Sequence, residues 1–286
     1  MARETKGGAE FDPVALERAE ARLWRDLWAA APAAVATEHG IEAADFGPLQ
    51  ATVAGHEPSH AMNLLFGAAE PGAADEGFLD EAVEWCRERR ARVYAPLTPG
   101  RLGREAAENW LRQHEFKAAG AWLRFTRDAH PPRFPAPGGV TVVAADDPDW
   151  VTSGLAESFG STIALKLRIP NWTSSLFAAL PGRPNWRCYA AKARQGSASA
   201  AAFIDGNIAL LAIDSTSGPV EESDARAALL HRFIEDAGAA GATTLAARID
   251  QRVEGPPHHG AAGLLLAGFR EAYHCDGWID ARLPAS

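Results

Sequence analysis

The stretch Asn207 to Ala239, NIALLAIDSTSGPVEESDARAALLHRFIEDAGA, constrains the fold more than any other part of the chain. It opens with an apolar run, Ile208 to Ile213, passes through a small-residue, turn-forming segment, Asp214 to Gly218, and ends in an amphipathic run from about Ser223 to Ala237. In that last run Ala225, Ala228, Leu229, Phe233 and Ala237 recur near helical spacing. The pattern predicts strand, loop and helix. Where such a loop meets a helix, unpaired N–H groups and the positive end of the helix dipole favour an anion.

The rest of the chain is rich enough in apolar residues to surround that unit with a core. Of 286 residues, 47% are hydrophobic and 23% charged, which predicts one large domain or two ordinary ones rather than a disordered chain. A net charge of −9 argues against a general binder of nucleic acid or anionic membrane. Cys86, Cys188 and Cys275 are too few and too far apart for a disulfide framework or a metal knuckle. The start, MARETKGGAEFDP, has no apolar run of the secretory kind, and no apolar run elsewhere approaches the roughly 20 residues that span a bilayer. The expectation is a cytoplasmic protein with no membrane partner, monomeric or homodimeric.

In chain order, a helix is predicted to start near Pro13. Its apolar stripe is Leu16, Ala19, Leu23, Trp24, Leu27 and Trp28, with Glu17, Arg18, Arg22 and Arg25 opposite, and Pro32 ends it. Residues 33–70 carry weaker signals, with short strands at Leu49 to Val53 and Met62 to Phe66. A helix around Leu79 to Cys86, a strand from Arg92 to Leu97, a helix over 103–114 and a strand from Trp122 to Thr126 follow. Residues 129–139, AHPPRFPAPGG, hold four prolines and two glycines and read as a semi-rigid linker, hence a boundary between 1–128 and 140–286.

After it come a strand from Val140 to Ala144, a helix from Trp150 to Phe159, and a helical stretch after Asn171. Strands Trp186 to Ala193 and Ala198 to Ile204 precede a hairpin turn at Asp205-Gly206-Asn207. The strand–loop–helix unit follows, then a strand from Thr243 to Ile249, a short helix around Ala261 to Ala267 and a last strand from Arg270 to Ile279. Both halves end on helix, aromatic residue (Phe116, Phe269) and closing strand, which reads as a weak internal duplication, the alternative being chance similarity of two helix–strand units.

The segment LLLAGFREAY (Leu264 to Tyr273) resembles the last helix and strand of GNAT-type (GCN5-related) N-acetyltransferases. RFIEDAGAAGATTLAARI (Arg232 to Ile249) resembles the helix leading to that family's fifth strand. The resemblance implies a mixed α/β fold of two tandem GNAT-like domains, the first more divergent, each a mixed twisted sheet flanked by helices. It also implies acetyl-CoA, or another acyl-CoA, as cofactor and a small-molecule amine as acceptor. By resemblance, main-chain groups of Leu211, Ala212 and Ile213 would hold the acyl and pantetheine arm, and the loop running into Asp224, Ala225 and Arg226 would hold the pyrophosphate.

This chain departs from the family's Q/R-x-x-G-x-G/A loop, which cradles the pyrophosphate with glycine amides. The register places Glu221 at the Q/R position, Asp224 at the first glycine and Arg226 at the second. Glu221, Glu222 and Asp224 either oppose the phosphates or serve as ordinary first-turn acids on the helix dipole. That leaves a second reading open: a GNAT fold that has lost CoA and acts as a ligand-binding or assembly partner, or carries other chemistry.

For the chemistry itself, Asp214 at the end of the central strand and His258 in the loop EGPPHHG are the candidate bases. Tyr273, on the last strand, is the candidate acid. The alternatives are a turn residue for Asp214 and an exposed loop residue for His258. HEPSH, His56 to His60, matches the H-E-x-x-H zinc pattern in letters, but Pro58 breaks the helix that pattern needs, so no metal is expected. His274 and Cys275 are adjacent on a strand and point to opposite faces, so they form no nucleophile–base pair.

Overall fold

The computed structural model describes residues 11–56, 62–132, 134–144, 172–193, 196–217, 224–250 and 261–282. Among them eleven strands join one mixed sheet, with helices on both faces.

Helix α1 (Pro13–Ala29) begins where Asp12 accepts a hydrogen bond from the Val14 amide at 2.8 Å, with proline at the first position. Then come α2 (Ala33–His39), β1 (Ile41–Phe46), β2 (Leu49–Ala54), β3 (Leu64–Phe66), α3 (Phe78–Glu88), β4 (Tyr94–Leu97), α4 (Arg104–Gln113) and β5 (Phe116–Asp128). After the proline-rich segment follow β6 (Thr141–Ala144), α5 (Thr173–Ala178), β7 (Trp186–Ala193), β8 (Gly196–Asp205), β9 (Ile208–Ser217), α6 (Asp224–Ala239), β10 (Thr244–Asp250), α7 (Ala261–Leu266) and β11 (Arg270–Asp280). Each half therefore runs through antiparallel strands, a helix, a parallel strand, a second helix and a closing strand.

The strand order is β1-β2-β3-β4-β11-β5-β10-β9-β8-β7-β6. The closing strands are exchanged: β11 lies between β4 and β5, and β5 lies between β11 and β10. Polar anchors hold each closing strand against the other half. Asp280, fully buried at the end of β11, accepts from Arg87 Nε of α3 at 2.7 Å. Arg127 of β5 donates to the Ala267 carbonyl behind α7 and, at 2.7 Å, to that of His130. A bulge at Gly277 lets Tyr94 approach β11. A Cβ there would overlap the Tyr94 hydroxyl, and the Tyr94 ring stacks on Trp122 with centroids 5.1 Å apart.

Three cores follow from the alternation along the strands. On one face α1, α2 and α5 cover Leu64, Tyr94, Trp122, Leu210 and Ala246. On the other face α6 and α7 cover Leu123, Phe125, Leu211 and Leu245, while α3 and α4 cover Ala51, Val53, Leu65 and Ala95. Helix α1, about 25 Å long, bridges both halves. Its Trp28 Nε1 donates to the Val53 carbonyl at 2.8 Å, and its Asp26 accepts from Trp186 Nε1 at 2.7 Å and Arg183 Nε at 3.0 Å.

Several expectations change here. Asp214 to Ser217 continue β9 instead of turning, because the backbone pairs with Ser197–Ala200 of β8. The weak signals of residues 33–46 hide α2 and β1. The strand expected over Trp122 to Thr126 extends to thirteen residues, since it has partners along both edges. Glu17 is not on the solvent face: it is only 5% exposed. The sheet under α1 is wide enough to bury that flank as well. The helix expected over Trp150 to Phe159 lies outside the described residues.

Candidate functional site

Strands β9 and β10 run parallel, paired from Ile208/Thr244 to Leu211/Ala247, and then part. Beyond Leu211, β9 stays paired with β8 on its other side, with a bulge that places Ala212 out of register. Among the described residues, no strand pairs with the β10-facing edge of β9 past that point. That edge offers main-chain donors and acceptors to whatever enters the gap.

A cluster of charged side chains stands at the parting. Glu20 of α1 accepts from Arg124 of β5 and, at 2.7 Å, from Nη1 of Arg248 of β10. Glu20 is 5% and Arg124 3% exposed. Burial alone pulls the Arg124 pKa down, but Glu20, with smaller contributions from Tyr273 and Cys275, raises it above the usual range and holds the guanidinium charged. The Arg248 guanidinium sits 4.0 Å from the ring centre of Trp122 and 5.7 Å from that of Trp24. Glu20, Leu23, Trp24, Arg124, Leu210, Leu211, Ala212 and Arg248 line a partly open cavity of about 10 Å³, room for one water-sized group.

The residues named from the sequence fall around this point unevenly. Leu211 and Ala212 line the cavity. Tyr273 sits on β11 directly opposite Arg124, its ring stacked on Phe11 at 5.6 Å. Burial raises its hydroxyl well above the usual tyrosine range, against the pull of Arg124. Asp224 is exposed and Ala225 buried in the first turn of α6. Arg226 is 6% exposed, and a Cβ built on Gly263 of α7 would lie 2.6 Å from its Nη1. Its guanidinium therefore fills the space between the start of α6 and α7. The backbone of Asp214 pairs with Ala200. The side chains of Ile213 and Asp214, the acids Glu221 and Glu222, and His258 lie outside the described residues.

The matching place in the first half is closed. Strands β3 and β4 pair in parallel at Leu64/Tyr94 only. The Gly67 amide donates to Glu17 at 2.9 Å, and Glu17 is bound by Arg101 at 3.1 Å. Glu70 is held by Arg101 at 2.9 Å and Arg18 at 3.0 Å. A Cβ on Gly103, which caps α4, would overlap the Glu70 carbonyl, so the loop after β3 packs directly on α4.

Glu17, Glu20, Arg101, Arg124 and Arg248 were missed by sequence reasoning. The available signal was charge in an apolar pattern: Glu20 shares a helical face with Leu16, Leu23 and Trp24, and Arg124 shares the inward strand face with Trp122. Their convergence comes from the strand exchange, which no local pattern encodes. Among the described residues no group of three or more His, Cys, Asp or Glu is placed to hold a metal, and no helix is long and apolar enough to cross a membrane. Of the HEPSH segment, His56 Nδ1 lies 2.6 Å from the Glu38 carbonyl, and residues 57–61 lie outside the described residues.

No protein-family model matches the chain, and no curated protein matches it in sequence. Solved structures do match. A GCN5-related N-acetyltransferase from Kribbella flavida superposes with a TM-score of 0.60 at 14% identity, over 94% of this chain and 96% of that one. A GCN5-related N-acetyltransferase from Sphaerobacter thermophilus gives 0.54 at 16% identity, over 84% and 78%. A tandem GNAT protein from the clavulanic acid biosynthesis pathway gives 0.52 at 12%, over 81% and 77%. The likeness runs across both halves and is one of fold: the chain has the GNAT fold expected from its closing helix and strand.

Proposed function

We propose that this protein is an acyltransferase which passes an acyl group from an acyl-CoA, with acetyl-CoA as the reference donor, to the amine of a small molecule. Residues 140–286 are the working domain, 129–139 the linker and 1–128 a divergent domain of the same fold. The observation that carries the reading is the β10-facing edge of β9 beyond Leu211, with which no strand pairs among the described residues. The ion pairs that tie the loop after β3 to α4 in the first half support choosing the second half.

A bound acyl-CoA would supply the activated thioester. Main-chain groups of Leu211, Ala212 and Ile213 would hold the acyl and pantetheine arm, and the α6 amides would hold phosphate, with the buried Arg226 fixing the start of that helix against α7. Asp214 or His258 takes the proton of the attacking amine. Tyr273, kept protonated by burial, is the candidate donor for the departing thiolate. The acidic residues before Arg226 weaken phosphate binding, so a modest affinity is expected.

Isothermal titration of the full chain with acetyl-CoA tests this. Binding is expected, weakened at least tenfold in Arg226→Ala, with circular dichroism confirming that the variant is folded. A second reading has its own support: the side chains of Trp24, Glu20, Arg124 and Arg248 leave only about 10 Å³ at the parting. In that reading the fold binds a different ligand or a partner without coenzyme. No heat with millimolar acetyl-CoA sinks the first reading and leaves the second.

A further inference from the structure

We propose that Phe11, the last residue ahead of the α1 cap, is a positioning residue for Tyr273: its ring lies on the phenol ring, holds it on the α1 face of the sheet and covers it from solvent. The proposal rests on the acyl-transfer reading for the use made of the Tyr273 proton; the arrangement around the ring is argued from geometry alone.

Tyr273 faces α1 because of a bulge. In the register between β11 and β5, Glu271 stands opposite Phe125 and Tyr273 opposite Arg124, so one residue, Ala272, is extra on β11. Regular alternation would put Glu271 and Tyr273, two residues apart, on the same face. The bulge sends them to opposite faces instead: Phe125 belongs to the core under α6 and α7, while Tyr273 packs against the core under α1. On that same face Glu20 of α1 binds Arg124.

Helix α1 then supplies the cover. Asp12 accepts from the Val14 amide at 2.8 Å, which fixes the entry of the chain and leaves Phe11 packed against the same core as Tyr273. The Phe11 and Tyr273 rings stack with centroids 5.6 Å apart and planes 18° apart, within the range of favourable offset pairs. Both residues are half-buried, so each ring shields a face of the other. Burial raises the Tyr273 hydroxyl above the usual tyrosine range, and Arg124 opposite pulls the other way. The other titratable groups that act on it are Cys275 of β11 and Glu20 and Glu17 of α1. Phe11 is none of these, so replacing it changes solvent access to the phenol and leaves the surrounding charges in place.

Tyr94, Tyr189 and Tyr273 are the three tyrosines of the chain, and the first two, 0% and 1% exposed, report on the fold as a whole. The test nitrates the full chain and its Phe11→Ala variant with tetranitromethane at pH 8 and follows each tyrosine by peptide mass spectrometry. Tyr273 should react at least fivefold faster in Phe11→Ala while Tyr94 and Tyr189 keep their parent rates. Phe11→Trp, which restores a ring, should return most of the protection. In protein labelled with 3-fluorotyrosine, the fluorine resonance of Tyr273, assigned with Tyr273→Phe, should titrate at lower pH in Phe11→Ala than in the parent. The proposal is overturned if Tyr273 reacts at the parent rate in Phe11→Ala, if all three tyrosines speed up together, or if Phe11→Trp restores nothing. Selective exposure of Tyr273 with no heat from acetyl-CoA supports the positioning and removes the transferase reading. Heat from acetyl-CoA with Tyr273 unchanged in Phe11→Ala removes the positioning alone.

Discussion

Replacing Glu20 by alanine should destabilise the protein strongly, and the structure sets the size of the effect. Glu20 and Arg124 are 5% and 3% exposed, and the remaining guanidinium would be a buried cation without its carboxylate. Removing one partner of such a pair costs about 3–5 kcal/mol. Unfolding entropy is about 2.1 cal/mol/K per residue, or about 0.6 kcal/mol/K for a chain of this length, so the melting temperature should fall by about 5–8 °C. Differential scanning calorimetry at pH 7 reads this directly. Because the pair is shielded from solvent, the loss should persist in 0.5 M NaCl. Arg18→Ala supplies the contrast: its bond to Glu70 leaves Arg18 61% exposed, so its loss should cost under about 1 kcal/mol. A double change, Glu20→Met with Arg124→Met, should recover much of the lost stability, since it removes both charges and keeps volume. If Glu20→Ala melts within 1 °C of the parent, or salt abolishes the effect, the cluster is solvated and the reasoning from its burial fails.

Three further outcomes are expected. Gly277→Ala forces a methyl group into the Tyr94 hydroxyl and should cost about 1–3 kcal/mol, seen as a lower urea midpoint; an unchanged midpoint would mean that Tyr94 swings aside. Residues 1–139 expressed alone lack β11, which separates β4 from β5, and should show no cooperative melt, whereas mixing with 140–286 should restore one; a cooperative melt of the fragment alone refutes the exchange. Burial pushes the thiols of Cys275 and Cys86 up to about 11 and about 12, so both should resist a thiol reagent at pH 8 in the folded protein. In the unfolded chain these thiols ionise first, near pH 9, so their contribution is intact below that pH and is lost as pH rises towards 11 and 12. The urea midpoint should therefore fall less between pH 8 and 11 in Cys86→Ala than in the parent.

Much of the order of elements could be read before any coordinates. Helix α1 was marked by Pro13 and a stripe ending in Trp24 and Trp28, which meet edge to face with centroids 5.2 Å apart. Helix α6 was marked by Ala225, Leu229 and Phe233, all fully buried. The turn at Gly206, with φ of 60°, was marked by Asp-Gly-Asn. Where reading failed, the missing information was not local. Asp214 to Ser217 look like a turn, yet they are strand because β8 offers a pairing edge. Of the candidate site residues, Leu211, Ala212 and Tyr273 come near the charged cluster, while Arg226 turned out to pack against α7.

By itself the sequence determined the elements and their repeated order, because spacing, capping and turn chemistry act over a few residues. Only tertiary structure decided that the closing strands trade places and that Glu20, Arg124 and Arg248, far apart along the chain, share one pocket. The physical reason is that strand partners are chosen by burial and edge pairing across the whole sheet, a competition that no short window of residues contains.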